Sequence, residues 1–348
     1  MASNKERGKQ IRQQILRDIK HHPRDITKNI AGIFSITPQA VYNHIKVLEG
    51  DNRLRSEGRG RGKIYFLGDI RSHSGLFQFT DNPTEDRVWR EHFSYLLEGV
   101  EENVDEICHY GFTEMVNNAI DHSEGNTVFI RMDRAKDDIS VIIIDDGEGI
   151  FRKISRVCDL ADETQAILEL SKGKLTTDPD NHSGEGIFFT SRAFDIFEIH
   201  SKGLKFSHDI ALDFDYSLDD DIFKGDQGTL ILMRIKRNSP RVLKEVFDSF
   251  TSGPDDFNFN KTVIPVKLAS YDNEKLVSRS QAKRLLLRVE RFQNVVFDFE
   301  DVPSVGQAFA DEIFRVYASK HPEIELLPVN MDEPVEFMVK RALSHGEN

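Results

Sequence analysis

Three consecutive segments decide how this chain is read: FTEMVNNAIDHSEG at residues 112–125, TVFIRM at 127–132 and ISVIIIDDGEGI at 139–150. Glu114, Asn118 and Asp121/His122 recur at intervals of three and four, so on a helix they share one face. Met115, Val116, Ala119 and Ile120 supply the apolar side. Ser123-Glu124-Gly125-Asn126 ends the helix, because Gly and Asn tolerate a left-handed cap. A β-branched strand follows, then a more apolar one over residues 141–144. That second strand delivers Asp145 directly into Asp146-Gly147-Glu148-Gly149. A carboxylate at a strand end, followed by glycines that let a ligand reach the backbone, predicts a nucleotide pocket.

The gross numbers bound the rest. With 348 residues, two or three domains are expected. Composition is that of an ordinary soluble protein, 39% hydrophobic and 30% charged. No apolar run approaches the roughly 20 residues of a membrane helix, and no signal segment opens the chain. The expectation is therefore a cytoplasmic protein with no membrane contact. Two cysteines, Cys108 and Cys158, are too few for a disulfide framework or a Cys-based zinc site. The net charge of −13 is unevenly spread: residues 1–68 hold 14 Lys/Arg against 6 Asp/Glu, a net +8, which leaves −21 for the remainder. A basic head on an acidic body places nucleic-acid contact in the head alone.

The head reads as three helices and a hairpin. Ile11, Ile15, Leu16 and Ile19 form one stripe. Asp25 is placed to cap a second helix, and Thr37-Pro38 to open a third. That third helix buries Val41, Ile45 and Leu48 and exposes Gln39, Asn43 and Lys46. Residues 54–67 form a two-stranded wing with Arg59, Arg61 and Lys63 at its tip. The pattern resembles winged helix-turn-helix DNA-binding domains over residues 5–68. The resemblance implies double-stranded DNA as a partner of residues 1–68, with Gln39, Asn43 and Lys46 toward the major groove and Arg59, Arg61 and Lys63 along phosphates. A winged helix used for protein docking or dimerisation is the alternative.

Residues 69–88 read as a polar linker, and residues 89–110 as one long amphipathic helix. About 20 residues between linker and motif helix are too few for a phosphoacceptor hairpin. His92 and His109 are therefore expected to be structural or exposed.

Glu-x-x-x-Asn on a helix, Asp-x-Gly-x-Gly after a strand, and Gly184-Glu185-Gly186-Ile187 resemble the GHKL ATPase superfamily, which includes type II topoisomerases, heat-shock chaperones and histidine kinases. EMVNNAIDHS is most similar to anti-sigma-factor serine kinases and histidine kinases. The resemblance covers about the middle 150 residues, here placed at 89–240. It implies ATP and Mg²⁺ as cofactors. Asn118 is then the metal ligand and Glu114 the residue that orients or activates an attacking water or hydroxyl. Asp145 becomes the adenine-reading carboxylate, with Gly147, Gly149 and Ile150 beside base and ribose. Gly184, Glu185, Gly186 and Ile187 open a phosphate-binding helix. Thr229, in a Gly-Thr pair opening the last strand, either shares the adenine contact or is an ordinary strand residue. Residues 151–183 are expected to be a lid, polar toward its end, on which Lys172 and Lys174 read as solvated lysines, with reach to phosphate as the alternative.

A connecting helix and linker occupy 241–260. Residues 261–348 alternate strand and helix three times, which predicts a small α/β layer. The line VVFDFEDVPSVGQAFADEIF at 295–314 resembles STAS-like domains, the fold of anti-sigma-factor antagonists. Those antagonists carry a phosphorylated Ser where a helix begins. Here Gln307 falls near that position and Ser304 in the preceding loop, so phosphorylation is not expected. The whole is a multidomain α/β chain: winged helix, α/β sandwich of GHKL type, STAS-like domain. Two functions stay open. One is a regulator whose nucleotide state controls the DNA-binding head. The other is a serine/threonine kinase acting on a STAS or sigma-like partner, with a homodimer as a further arrangement.

Overall fold

The computed structural model describes residues 4–175, 184–209, 214–215, 227–251, 258–270 and 274–344. The chain is a multidomain α/β protein. No helix among the described residues is long and apolar enough to cross a membrane.

Helices α1 (Asn4–Asp18), α2 (Ile26–Phe34) and α3 (Pro38–Gly50) precede an antiparallel ribbon of β1 (Leu54–Glu57) and β2 (Ile64–Leu67). Ile11, Ile15, Ile30, Val41 and Ile45 close a small core with Leu54 and Tyr65. The Thr37 hydroxyl caps α3 by accepting from the Ala40 N–H at 3.2 Å. Pro38 fills the first helical position, where no N–H is needed. Asp25 stands at the start of α2, but its carboxylate turns to His22 Nδ1 at 3.1 Å instead of capping.

A seven-stranded sheet forms the centre, in the spatial order β3 (Arg71–Gln78), β4 (Thr127–Arg134), β5 (Asp138–Asp145), β9 (Thr229–Lys236), β6 (Ile196–Ser201), β7 (Leu204–Asp209), β8 (Phe214–Asp215). Every neighbouring pair is antiparallel. Strand β3 corrects the linker reading of residues 69–88: it pairs with β4 from Arg71↔Arg134 to Gln78↔Thr127. Alternate residues Ile130, Met132, Val141, Ile143 and Met233 point to one face, where Met115, Val116 and Ala119 of α5 (Glu102–His122) cover them. One buried and one wetter face is the usual condition of an antiparallel sheet.

The long helix expected over 89–110 does not form. A short α4 (Glu85–Val88) runs into a π turn at Trp89–Phe93 and a 3₁₀ turn at Ser94–Leu97, and the chain reverses at Gly99 before α5. Two buried arginines explain the break. Arg71 donates to the Tyr95 carbonyl at 2.6 Å, and Arg134 to the Leu96 and Glu98 carbonyls at 3.2 and 2.7 Å. Those are the acceptors that a continued helix would have used. Burial lowers the Arg71 pKa to about 10, which leaves it charged at neutral pH. His92 and His109 are structural, as expected: His109 stacks on Trp89 at 4.8 Å and His92 on His73 at 5.9 Å.

The lid reading is also corrected over its described part. Residues 151–175 hold most of α6 (Ile150–Cys158) and all of α7 (Glu163–Lys172), and α7 is buried throughout from Gln165 to Lys172. Residues 176–183 lie outside the described residues. Helix α8 (Gly186–Ala193) packs against α5 and β6.

After α9 (Leu243–Asp248), a parallel three-stranded sheet is made of β10 (Lys261–Pro265), β11 (Asn294–Asp298) and β12 (Glu325–Val329). Helices α10 (Arg279–Leu286), α11 (Gln307–Asp311), its continuation α12 (Ala318–Lys320) and α13 (Glu333–Ser344) complete the unit. The expected alternation is therefore present. The unit shares its core with the central one: Leu168 of α7 and Phe188 and Phe189 of α8 belong to the same apolar cluster as Val295, Phe297 and Phe309.

Lys172 is the sharpest departure from the sequence. It is 2% exposed and pairs with the equally buried Glu169 at 2.7 Å. Its Nζ also donates to the carbonyls of Leu287 at 2.8 Å and Arg284 at 3.3 Å, at the C-terminal end of α10. A cation there meets the negative end of the helix dipole. Breaking a buried pair from one side typically costs about 3–5 kcal/mol. Lys172→Met should therefore lower the denaturant midpoint strongly, and Glu169→Leu/Lys172→Met should recover most of the loss. Equal loss in both variants would contradict this account of the pair.

Candidate functional site

A cavity of about 290 Å³ opens between α5, the β5 end, α6 and the start of α8. Each wall has a local cause. Helix α5 turns Glu114, Asn117 and Asn118 toward the cavity, one turn apart along its length. Strand β5 ends with Asp145, directly opposite Thr229 in the register with β9. Gly149 enters α6 with φ +92°, and a Cβ there would stand 2.5 Å from Ser201 Oγ. Only glycine takes that conformation cheaply.

Ten of the eleven residues expected at a nucleotide site line this cavity: Glu114, Asn118, Asp145, Gly149, Ile150, Gly184, Glu185, Gly186, Ile187 and Thr229. Gly147 does not. It lies behind the wall, donating its N–H to Asp145 Oδ1 at 2.9 Å and accepting from the Gly228 N–H at 2.7 Å. Its part is to hold the carboxylate, not to touch a ligand.

Asp145 is 8% exposed, and burial raises its pKa from 3.8 to about 6. The Gly147 and Thr229 N–H groups, both bonded to Oδ1, oppose that rise. Thr229 is the first residue of β9 and also a wall residue. Its backbone donates to Asp145 at 3.2 Å, its hydroxyl accepts from the Ile150 N–H at 3.1 Å, and it lines the cavity. Asp146, by contrast, points away and accepts from the N–H groups of Asn126 and Thr127 at 2.7 and 2.9 Å.

At the other end, Gly186 meets Glu114: a Cβ at 186 would stand 2.0 Å from Glu114 Oε2. The absence of a side chain on α8 thus makes the room that the α5 carboxylate occupies. Burial pushes up the Tyr110 phenol, one turn before Glu114, and the charges of Glu114 and Glu185 add to that effect.

Several lining residues were not picked out from the sequence. Lys153 reaches from α6 to the His122 carbonyl at 2.7 Å and Glu124 at 3.1 Å. Its position, four residues after the second motif glycine, is the signal that was there to read. Leu170 and Leu175 line the cavity from the α7 side, and no local motif announces them. Among the described residues no cluster of three or more His, Cys, Asp or Glu is set up as a metal cage.

In the head, Gln39, Asn43 and Lys46 are exposed on α3, and Arg59 is exposed on the ribbon. The side chain of Arg61 lies outside the described residues. Lys63 departs from the wing-tip reading: it is bonded to Glu49 at 3.1 Å and lies over the Tyr65 ring at 4.7 Å. It ties the ribbon to α3.

Residues 281–336 match the family model of a STAS-like domain of unknown function (DUF4325). The C-terminal unit is STAS-like. The match runs from within α10 to within α13, through β11 and β12. Gln307 begins α11 in this STAS-like unit and Ser304 is exposed in the loop before it, as the sequence register places them. No curated protein matches the chain.

Asp145 supplies a test of the site's energetics. Its folded pKa lies above the unfolded value, so the folded state holds the extra proton between about pH 4 and 6. Stability from this group is present at low pH and lost as pH rises through about 6. At neutral pH the charged form costs roughly 3 kcal/mol, at 1.36 kcal/mol per pKa unit. Asp145→Asn should raise or preserve Tm at pH 7 and flatten the Tm profile between pH 4 and 6. A Tm several degrees lower with the profile unchanged would contradict the burial argument.

Proposed function

We propose that the central unit is an ATP-binding module of GHKL type and that the protein is a regulator whose nucleotide state controls a DNA-binding winged helix. One observation carries the reading. Residues from three separate motifs, spread from Glu114 to Ile187, converge on one cavity together with Thr229. An ordinary amphipathic helix and two turn glycines would give no reason for that convergence.

The donor set fits the ligand. A purine amine is a donor, and Asp145 is a buried carboxylate in a cavity that Ile150, Ile154 and Ile231 also line. The start of α8, at Gly186 and Ile187, offers backbone N–H groups to phosphate oxygens. The lining also carries Glu114, Asp145 and Glu185 against Lys153 alone among full charges. A triphosphate entering so acidic a cavity needs a divalent cation to offset the repulsion. Magnesium suits this, since it takes few protein ligands and fills its shell with water and phosphate oxygens. Asn118 would hold it through the amide oxygen, and Glu114 would orient an attacking water or hydroxyl. In the head, exposed Gln39 and Asn43 suit base edges, and Lys46 and Arg59 suit phosphates.

A kinase reading has its own support: a STAS-like unit is packed on the same central module. Acting on a STAS partner or on this chain's own tail, such an enzyme would transfer the γ-phosphoryl to a hydroxyl. Incubation with γ-labelled ATP separates the readings. Label on protein supports the kinase, and label released as free phosphate supports a hydrolytic switch.

Calorimetry of the full chain should give a Mg²⁺-dependent heat with ATP, and Asn118→Ala should weaken binding at least tenfold. Duplexes enriched from a random pool should bind the full chain with an affinity that changes on adding Mg-ATP. Identical DNA titrations with and without Mg-ATP would overturn the regulator.

A further inference from the structure

Helix α7 has two faces with different neighbours. Leu170 lies in the central core and lines the cavity, while Leu168 lies in the STAS-like core. Where α7 ends, the backbone of the next residues touches both units. Gly173 takes φ +82° against the Phe259 ring, where a Cβ would come within 2.7 Å. Lys174, in the left-handed region at φ +52°, donates to the Arg291 carbonyl at 3.0 Å, and Arg291 returns a bond to the Lys174 carbonyl at 2.6 Å. The Lys174 ammonium also lies over the Phe292 ring at 5.0 Å. The next residue, Leu175, lines the cavity and donates its N–H to the Gly184 carbonyl at 3.1 Å. Thr262 of β10 donates to the Lys172 carbonyl at 2.6 Å.

The geometry points to α7 and residues 173–175 as the coupling element of the protein, through which the STAS-like unit, seated in cis, sets the affinity of the cavity for its ligand. This inference rests on the nucleotide reading of the cavity. Its physical basis is that Leu170 and Leu175 form wall, and that the chain between them is bonded to the STAS-like unit at Lys172 and Lys174. Neither set of contacts can shift alone, because interiors packed at crystal density do not deform continuously. Seating the STAS-like unit therefore pre-orders one wall of the cavity. By linkage, a ligand that needs that wall must tighten the seating by the same factor. The reciprocal Lys174–Arg291 bonds are the part of this contact that can be removed without opening the core, since Arg291 is exposed and Lys174 half-buried.

Hydrogen exchange at residues 279–292, read in the full chain with and without Mg-ATP, tests the coupling. A coupling of 1–3 kcal/mol corresponds to about 5–150-fold. Mg-ATP should slow exchange there at least fivefold. In Lys174→Ala/Arg291→Ala that slowing should shrink below about twofold, and Mg-ATP should bind at least fivefold more weakly by calorimetry. Binding heat in the wild type with exchange at 279–292 unmoved would overturn the coupling while leaving the nucleotide reading intact. So would a double variant that behaves as wild type in both measurements. No binding heat at all would remove the nucleotide reading, and the coupling with it.

Discussion

The constraint on which the rest depends is the burial of Asp145. Putting a carboxylate at the end of a central strand, in an apolar surround, costs free energy. The chain offsets part of that cost with the N–H groups of Gly147 and Thr229 on a single oxygen. Those two donors fix the rest of the site. Gly147 brings the turn into α6, and Thr229 brings β9 alongside β5 and then holds the first N–H of α6 through its hydroxyl. A buried carboxylate that costs stability and is nonetheless held in a cavity wall marks a functional-site candidate.

The remainder of the molecule can be described by what it does for that cavity. Antiparallel strands give a sheet with one covered face, and α5 lies across that face with its polar residues at the cavity rim. Helix α8 contributes a glycine where the Glu114 carboxylate needs space. The STAS-like unit contributes from a distance, by clamping α7 and the residues that follow. The basic head stands on the irregular turns at residues 89–97, where Arg71 and Arg134 fix the backbone and where Arg17 of α1 meets His92 at 2.9 Å.

How far the sequence could be read depended on whether a residue's role was local. The Asn118 face of α5, the strand ending at Asp145 and the cap at Thr37 are all set by neighbours within a few positions, and each was legible. So was the strand–helix alternation of residues 261–348. Roles set by distant partners were not. Strand β3 was hidden because Arg71 and His73, where apolar residues would signal a strand, satisfy themselves on carbonyls and rings elsewhere in the fold. The helix expected over 89–110 fails for the same reason, since its carbonyls are taken by arginines from two strands. Lys172 read as a surface lysine because lysines are almost never buried without partners. Its partners are Glu169 and carbonyls more than 100 residues away. Nothing local to Lys63 announces its bond to Glu49, 14 residues earlier in the chain.

The most direct measurement is a crystal structure of the full chain grown with Mg²⁺ and a non-hydrolysable ATP analogue. The account predicts the adenine amine within hydrogen-bond distance of the Asp145 carboxylate, the metal on the Asn118 amide oxygen, and phosphate oxygens at the start of α8. An analogue bound elsewhere, or a cavity filled with the base turned away from Asp145, would contradict it.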